Sequence, residues 1–225
     1  MKPPSPFSKC KRVVRGLAAL AALLPLMSIC EVAATADPVH EGPDVMRVEQ
    51  DWEAVLNEPG SDVDAPQFHS VISPYADLDS YYLQISWNYR EQYDFTPGGM
   101  QLQAWWGDYP AGSKSYRQDK LSTTAETITW TQSMQTDGSL LRMGIDRASS
   151  TTWGTFGGTD TTLTGMVGVQ NLNGYSTSTS VVNSWITYGS NRVNLLRINE
   201  VRYYDCHGNL IWRDTTPKIV FQLEE

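Results

Sequence analysis

Tyr81-Tyr82-Leu83-Gln84-Ile85-Ser86-Trp87-Asn88-Tyr89 and, after Pro97-Gly98-Gly99, Met100-Gln101-Leu102-Gln103-Ala104-Trp105-Trp106 decide the fold. In the first run Tyr81, Leu83, Ile85, Trp87 and Tyr89 fall on one side of a period-two repeat, and Gln84, Ser86 and Asn88 on the other. In the second, Met100, Leu102, Ala104 and Trp106 alternate with Gln101, Gln103 and Trp105. Successive side chains on a strand point to opposite faces, so both runs predict β-strands with one apolar and one amide-rich side.

The same pattern recurs outward in both directions. Val48 to Leu56 alternates, and Gln67 to Ile72 is a short strand ended by Ser73-Pro74. Ser115 to Leu121 has the character of an edge strand, with Arg117 and Lys120 opposing stray pairing. Thr127 to Gln132, the turn pair Asp137-Gly138 and Leu140 to Ile145 form the clearest hairpin, because Asp and Gly accept positive φ. Trp153 to Thr159 is expected to be a Gly-rich loop. Further strands are expected over Thr162 to Val167, Val181 to Tyr188, Val193 to Tyr204, Leu210 to Trp212 and Lys218 to Leu223. No long 3.6-residue periodicity and no fixed repeat appears. Eleven or twelve short strands with Gly, Asn and Asp turns predict an all-β, two-sheet antiparallel sandwich, jelly-roll (concanavalin-like) in character, with a closed barrel as the alternative.

The ends set the organisation. Lys9, Lys11, Arg12 and Arg15 precede the apolar run Gly16 to Ile29, and Ala34-Thr35-Ala36 offers an A-x-A cleavage site. That order is expected of a secretory signal over residues 1–36, giving a secreted, periplasmic or cell-surface protein. A disordered leader is expected over 37–44 and a single domain over 45–225. Removing residues 1–36 takes five of the 17 basic residues and one of the 25 acids, leaving 12 against 24, a formal −12. Such a balance opposes nucleic acid and anionic lipid as partners. Cys10 and Cys30 leave with the signal, so Cys206 stands alone and no internal disulfide is expected.

Several residue groups are candidates for function. Gln84, Ser86, Asn88, Gln101 and Gln103 with Trp105 would form an exposed face if the two strands pair. Amides both donate and accept hydrogen bonds, which suits sugar hydroxyls, and an indole stacks on a pyranose. On that reading Trp106 is core and Trp105 exposed, while Trp52, Trp87, Trp130, Trp185 and Trp212 are core. Asp62, Asp64, Asp77 and Asp79 are acidic loop residues that would suit calcium, without an EF-hand pattern. With only His40, His69 and His207, and no G-x-S-x-G or H-E-x-x-H, a Ser-His-Asp triad or zinc site is not expected.

Glu49-Gln50-Asp51-Trp52-Glu53 resembles the E-x-D-x-E strand signature of the laminarinase-like retaining glycoside hydrolases. The resemblance implies Glu49 as nucleophile, Asp51 as assisting acid and Glu53 as general acid/base. Gln50 departs from the usual hydrophobic residue, and the motif sits nearer the start than in that family. Asn57-Glu58-Pro59, Ala65-Pro66-Gln67, Pro97 to Gln103 and Thr152 to Gly157 resemble a group of uncharacterised secreted proteins of aquatic bacteria, a resemblance that implies export and nothing more. The expectation is a non-catalytic binder of a neutral glycan or polysaccharide. The alternatives are a jelly-roll glycoside hydrolase or lyase using Glu49, Asp51 and Glu53, or a structural or adhesive surface protein. No cofactor other than calcium is suggested.

Overall fold

The computed structural model describes residues 42–57, 68–78, 80–87, 99–117, 119, 121, 125–180 and 193–222. Thirteen strands and one 3-10 turn, Gly158–Thr161, are found among them, and no α-helix. The strands are β1 (Arg47–Leu56), β2 (Phe68–Ser73), β3 (Tyr81–Trp87), β4 (Met100–Trp106), β5 (Tyr109–Tyr116), β6 (Glu126–Thr136), β7 (Leu140–Ser150), β8 (Gly154–Phe156), β9 (Thr162–Met166), β10 (Ser176–Ser180), β11 (Val193–Tyr204), β12 (Leu210–Asp214) and β13 (Lys218–Gln222). They form an antiparallel two-sheet sandwich. The larger, eight-stranded sheet runs β12-β11-β1-β6-β7-β8, with β13 on β11 and β9 on β7; the smaller runs β10-β2-β3-β4-β5. The two sheets share no pairing among the described strands, so the structure is a sandwich and not a closed barrel.

The core lies where the apolar faces meet. Trp52 of β1 is paired in register with Trp130 of β6, and their rings stack 5.5 Å apart at 7°. From the smaller sheet, Trp87 approaches Trp130 at 4.6 Å and Phe68 stacks on both Trp87 and Trp130. Buried indoles need a hydrogen-bond acceptor. Trp52 Nε1 donates to Gln50 Oε1 at 3.2 Å, Trp130 Nε1 to Gln132 Oε1 at 3.4 Å, and Trp87 Nε1 to Ser70 Oγ at 3.3 Å. Gln50 therefore faces the core and serves the ring two residues along.

Two local corrections concern strand ends. The chain turns at Gly107-Asp108 and β5 begins at Tyr109, so the edge strand lies earlier than the Ser115–Leu121 expected. It stops at Arg117, which takes φ 61°. The expected Gly-rich loop holds the short strand β8, because Gly157 at φ 130° lets the backbone pass against Asp146. The strand expected over Val181 to Tyr188, with Trp185, lies outside the described residues.

Candidate functional site

The amide face forms, but it is not a surface. Gln84 lies in register with Gln103, and Ser86 with Gln101, as the sequence implies. Ser86, Gln101 and Gln103 are buried, and Gln84 half-buried. Gln84 Nε2 donates to Gln103 Oε1 at 3.1 Å and to Ser86 Oγ at 3.4 Å, while Gln103 Nε2 donates to Gln101 Oε1 at 3.2 Å. The carboxamides satisfy one another in a ladder, as buried polar groups must. Buried His69 of β2 shares the row with Ser86 and Gln101; burial drops its pKa to about 3 and keeps it neutral. Asn88 lies outside the described residues.

The tryptophan expectations are also corrected. Trp105, expected on the surface, is half-buried with its indole nitrogen shut off from solvent. Trp106, expected in the core, is 51% exposed. Its parity is that of the core face, but it ends β4 at the rim of the sandwich, where its ring leans on Tyr81 at 5.5 Å. Trp212 also lies partly exposed on β12, stacked on Tyr203 at 4.7 Å.

Of the calcium candidates, Asp62, Asp64 and Asp79 lie outside the described residues. Asp77 serves its turn: Oδ1 accepts the Ser80 amide at 3.1 Å. No cluster of three or more metal-ligating side chains occurs among the described residues.

The acids of β1 do share one face, the outer face of the larger sheet, opposite Trp52 and Gln50. Each is held by arginine. Glu49 accepts from Arg202 Nε at 2.9 Å, from Tyr204 Oη at 3.0 Å and from Arg47. Asp51 accepts two bonds from Arg202, and Thr131 Oγ1 donates to it at 2.7 Å. Glu53 accepts from Arg197 Nε and Nη2 and from Asn199 Nδ2. Burial pushes the Asp51 pKa up, but the bonds from Arg202 and Thr131 outweigh it and leave the carboxyl below its ordinary value. The Arg197 bond holds Glu53 below its ordinary value against a smaller burial effect. A glycosidase acid needs the reverse, a raised pKa that keeps a proton available. The surroundings of Glu53 therefore oppose the general-acid role implied for it.

Two β-bulges shape this face. The register of β6 with β7 slips between Thr131 and Gln132, inserting Asp146 between Ile145 and Arg147. The register of β1 with β11 slips between Asp51 and Trp52, inserting Asn199 between Ile198 and Glu200. Both bulges fall beside the row formed by Asp51 and Thr131. A bulge re-aims side chains. Here consecutive residues Asp146 and Arg147 both serve the outer face, and Asn199 reaches Glu53.

Two adjoining cavities open there, sharing Arg147 and Arg202 as walls. One, of about 460 Å³, is lined by Arg47, Glu49, Arg142, Asp146, Arg147, Arg202 and Tyr204. The other, of about 610 Å³, adds Asp51, Thr129, Thr131, Ser149 and Asn199 over the strand positions of buried Trp52, Trp130 and Ala148. Arg47 pairs with Glu49 and Asp146, Arg142 with Asp146 at 3.1 Å, and Arg202 with Glu49, Asp51 and Glu200. Arg147 differs. It is exposed, its Nη2 lies 3.4 Å from Thr131 Oγ1, and it has no carboxylate within ion-pair distance among the described residues.

Sequence reasoning found the three acids and missed their arginines. The signal was a break in alternation. Leu141, Met143 and Ile145 are buried on one parity, Ala148 and Ser150 on the other; Leu196 and Ile198 likewise give way to Val201 and Tyr203.

Comparison with protein-family models and with curated proteins gives no match. Among solved structures, the chain is similar to scytalido-glutamic peptidase with a peptide-based transition-state analogue. The identity is 13% over 79% of this chain and 83% of that one, with a TM-score of 0.40. A second structure of that peptidase, with a transition-state analogue inhibitor, is 14% identical over 78% and 87%, with a TM-score of 0.32. SCP-B, a member of the Eqolisin family of peptidases in a complex with the tripeptide Ala-Ile-His, is 10% identical over 80% and 88%, also at 0.32. At these scores the likeness carries no argument about activity. The face that was to hold a glycan is buried at Ser86, Gln101 and Gln103, so the glycan-binding expectation is overturned.

Proposed function

We propose that the protein recognises a ligand bearing a small oxyanion, in the groove on the outer face of the larger sheet. Arg147 carries the reading. It is an exposed guanidinium without a carboxylate partner among the described residues, at the junction of two cavities, in a chain whose net charge is −8. The other guanidiniums are occupied by Glu49, Asp51 and Asp146, which hold them still. A planar guanidinium on such a scaffold suits a carboxylate, sulfate or phosphate. The basic, apolar and A-x-A segments at the N-terminus support export, so we propose that recognition takes place outside the cytoplasm.

Thermal unfolding of the wild type and of Arg147→Gln tests this, with acetate, N-acetylglycine, sulfate and phosphate at millimolar concentrations and constant ionic strength. A ligand at one hundred times its Kd adds about 2.7 kcal/mol of stability. At least one oxyanion should raise the midpoint of the wild type and leave Arg147→Gln unchanged. Equal shifts in both proteins, or none in either, overturn the reading.

A further inference from the structure

We infer that the ligand is a monocarboxylate with a neutral, hydrogen-bonding tail, its carboxylate on Arg147 and its tail along Thr129, Ser149 and Asn199; this rests on the oxyanion reading above. The charge of the groove points to it. Four guanidiniums line the two cavities (Arg47, Arg142, Arg147 and Arg202) against three carboxylates, Glu49, Asp51 and Asp146. The lining thus carries one net positive charge, and Glu200 beyond it, 3.5 Å from Arg202, is offset by Arg213 at 3.4 Å. A monoanion cancels it, whereas a dianion leaves a surplus negative charge beside Asp51, itself within the field of Arg147. Arg147 and Asp51 both contact Thr131 Oγ1, so an anion on Arg147 lies within about a screening length of Asp51, where salt damps the repulsion least.

The second cavity defines the tail. Its lining around Thr129, Thr131, Ser149 and Asn199 is hydroxyl and carboxamide, each both donor and acceptor, while the Trp52 and Trp130 rings are turned to the core. Thr129 and Ser149 are both exposed to it. A neutral chain of amides or hydroxyls complements that lining, and a second charge does not. The end of a short peptide and an open-chain sugar acid share this chemistry.

Titration calorimetry at pH 8 separates the sources and the charge. The probes are N-acetyl-dialanine, its C-terminal amide, gluconate, gluconamide, acetate, inorganic sulfate and inorganic phosphate. At least one of the two tailed carboxylates should bind ten-fold or more tightly than its amide and than sulfate or phosphate, and the tighter one names the source. In the doubly substituted Thr129→Val, Ser149→Ala protein, its affinity should fall several-fold while that of acetate holds; both positions are exposed, and circular dichroism checks the fold. Sulfate or phosphate binding as tightly as the carboxylates, through Arg147, overturns the monocarboxylate assignment and leaves the oxyanion reading standing. An unchanged affinity in the double variant overturns the placement of the tail. No binding by any probe, or binding unaltered in Arg147→Gln, overturns both.

Discussion

The guanidinium of Arg202 grips Asp51 with two parallel hydrogen bonds, Nη1 to Oδ2 at 2.6 Å and Nη2 to Oδ1 at 2.9 Å. Its Nε also donates to Glu49, two residues back on the same face of β1. One side chain thus ties two carboxylates of the central strand to β11. Exposed ion pairs contribute about 0–1 kcal/mol, but removing one partner of a buried pair costs about 3–5. Glu49 and Arg202 are largely buried, at 8% and 15% exposed. Arg202→Ala should therefore cost about 2–3 kcal/mol in urea unfolding, between those bounds. Arg213→Ala, on exposed β12, should change stability by less than about 0.5 kcal/mol. Equal small effects would show the network to be ornamental.

The pH dependence follows from the same pairs. Asp51 and Glu53 have folded-state pKa values below their unfolded ones. Such groups contribute stability that is fully present above the unfolded pKa, about 4, and is lost as pH falls through the folded value. The unfolding midpoint should be flat from pH 7 to about 5 in this respect and decline below 4. In the Asp51→Asn, Glu53→Gln protein the acid-side decline should be shallower. A wild-type curve parallel to that of the variant would remove this account of the acids.

The aromatic core predicts a large single-site effect. Trp130 touches Trp52, Phe68 and Trp87 and is almost fully buried. Trp130→Ala should cost about 3–5 kcal/mol. It should also weaken the near-ultraviolet circular dichroism, since the stack with Trp52 is lost. An effect below about 1 kcal/mol would mean that the sheets meet elsewhere.

The buried amide ladder gives a test of its own. Gln103→Leu removes one acceptor from Gln84 and one donor from Gln101, and lost hydrogen bonds of buried groups cost about 1–3 kcal/mol. A solvent-facing glutamine would tolerate the same change within about 0.5 kcal/mol. Chemical denaturation of Gln103→Leu beside Gln135→Leu, whose residue is exposed on β6, distinguishes the two.

Much of the fold was legible because period-two alternation reports burial directly. The Tyr81 and Met100 strands pair through the register their patterns imply, the Asp137-Gly138 turn closes its hairpin, and the Val193–Tyr204 strand has the expected bounds. What alternation cannot report is whether a polar face is wet. Gln101 and Gln103 alternate as surface residues do, yet both are buried. Nor does it show where a strand passes the rim, hence the reversal of Trp105 and Trp106. The candidate groove was hidden for a different reason. It depends on residues from β1, β6, β7 and β11 and on two bulges, and a bulge appears in sequence only as a slipped parity. The acids of β1 were visible as a motif; the arginines that decide their chemistry come from other strands.

The most direct test reads the Arg147 side chain itself. In 15N-labelled protein at pH 6, the Arg147 Nε–Hε resonance is assigned by its loss in Arg147→Gln and followed as the tighter-binding of N-acetyl-dialanine and gluconate is added. The account predicts a saturable shift of that resonance, with smaller shifts at Arg142 and Arg202 and none at Arg213 or Arg117. If the Arg147 resonance stays put while the ligand binds, or moves only in proportion to ionic strength, the groove is not where this protein meets its ligand.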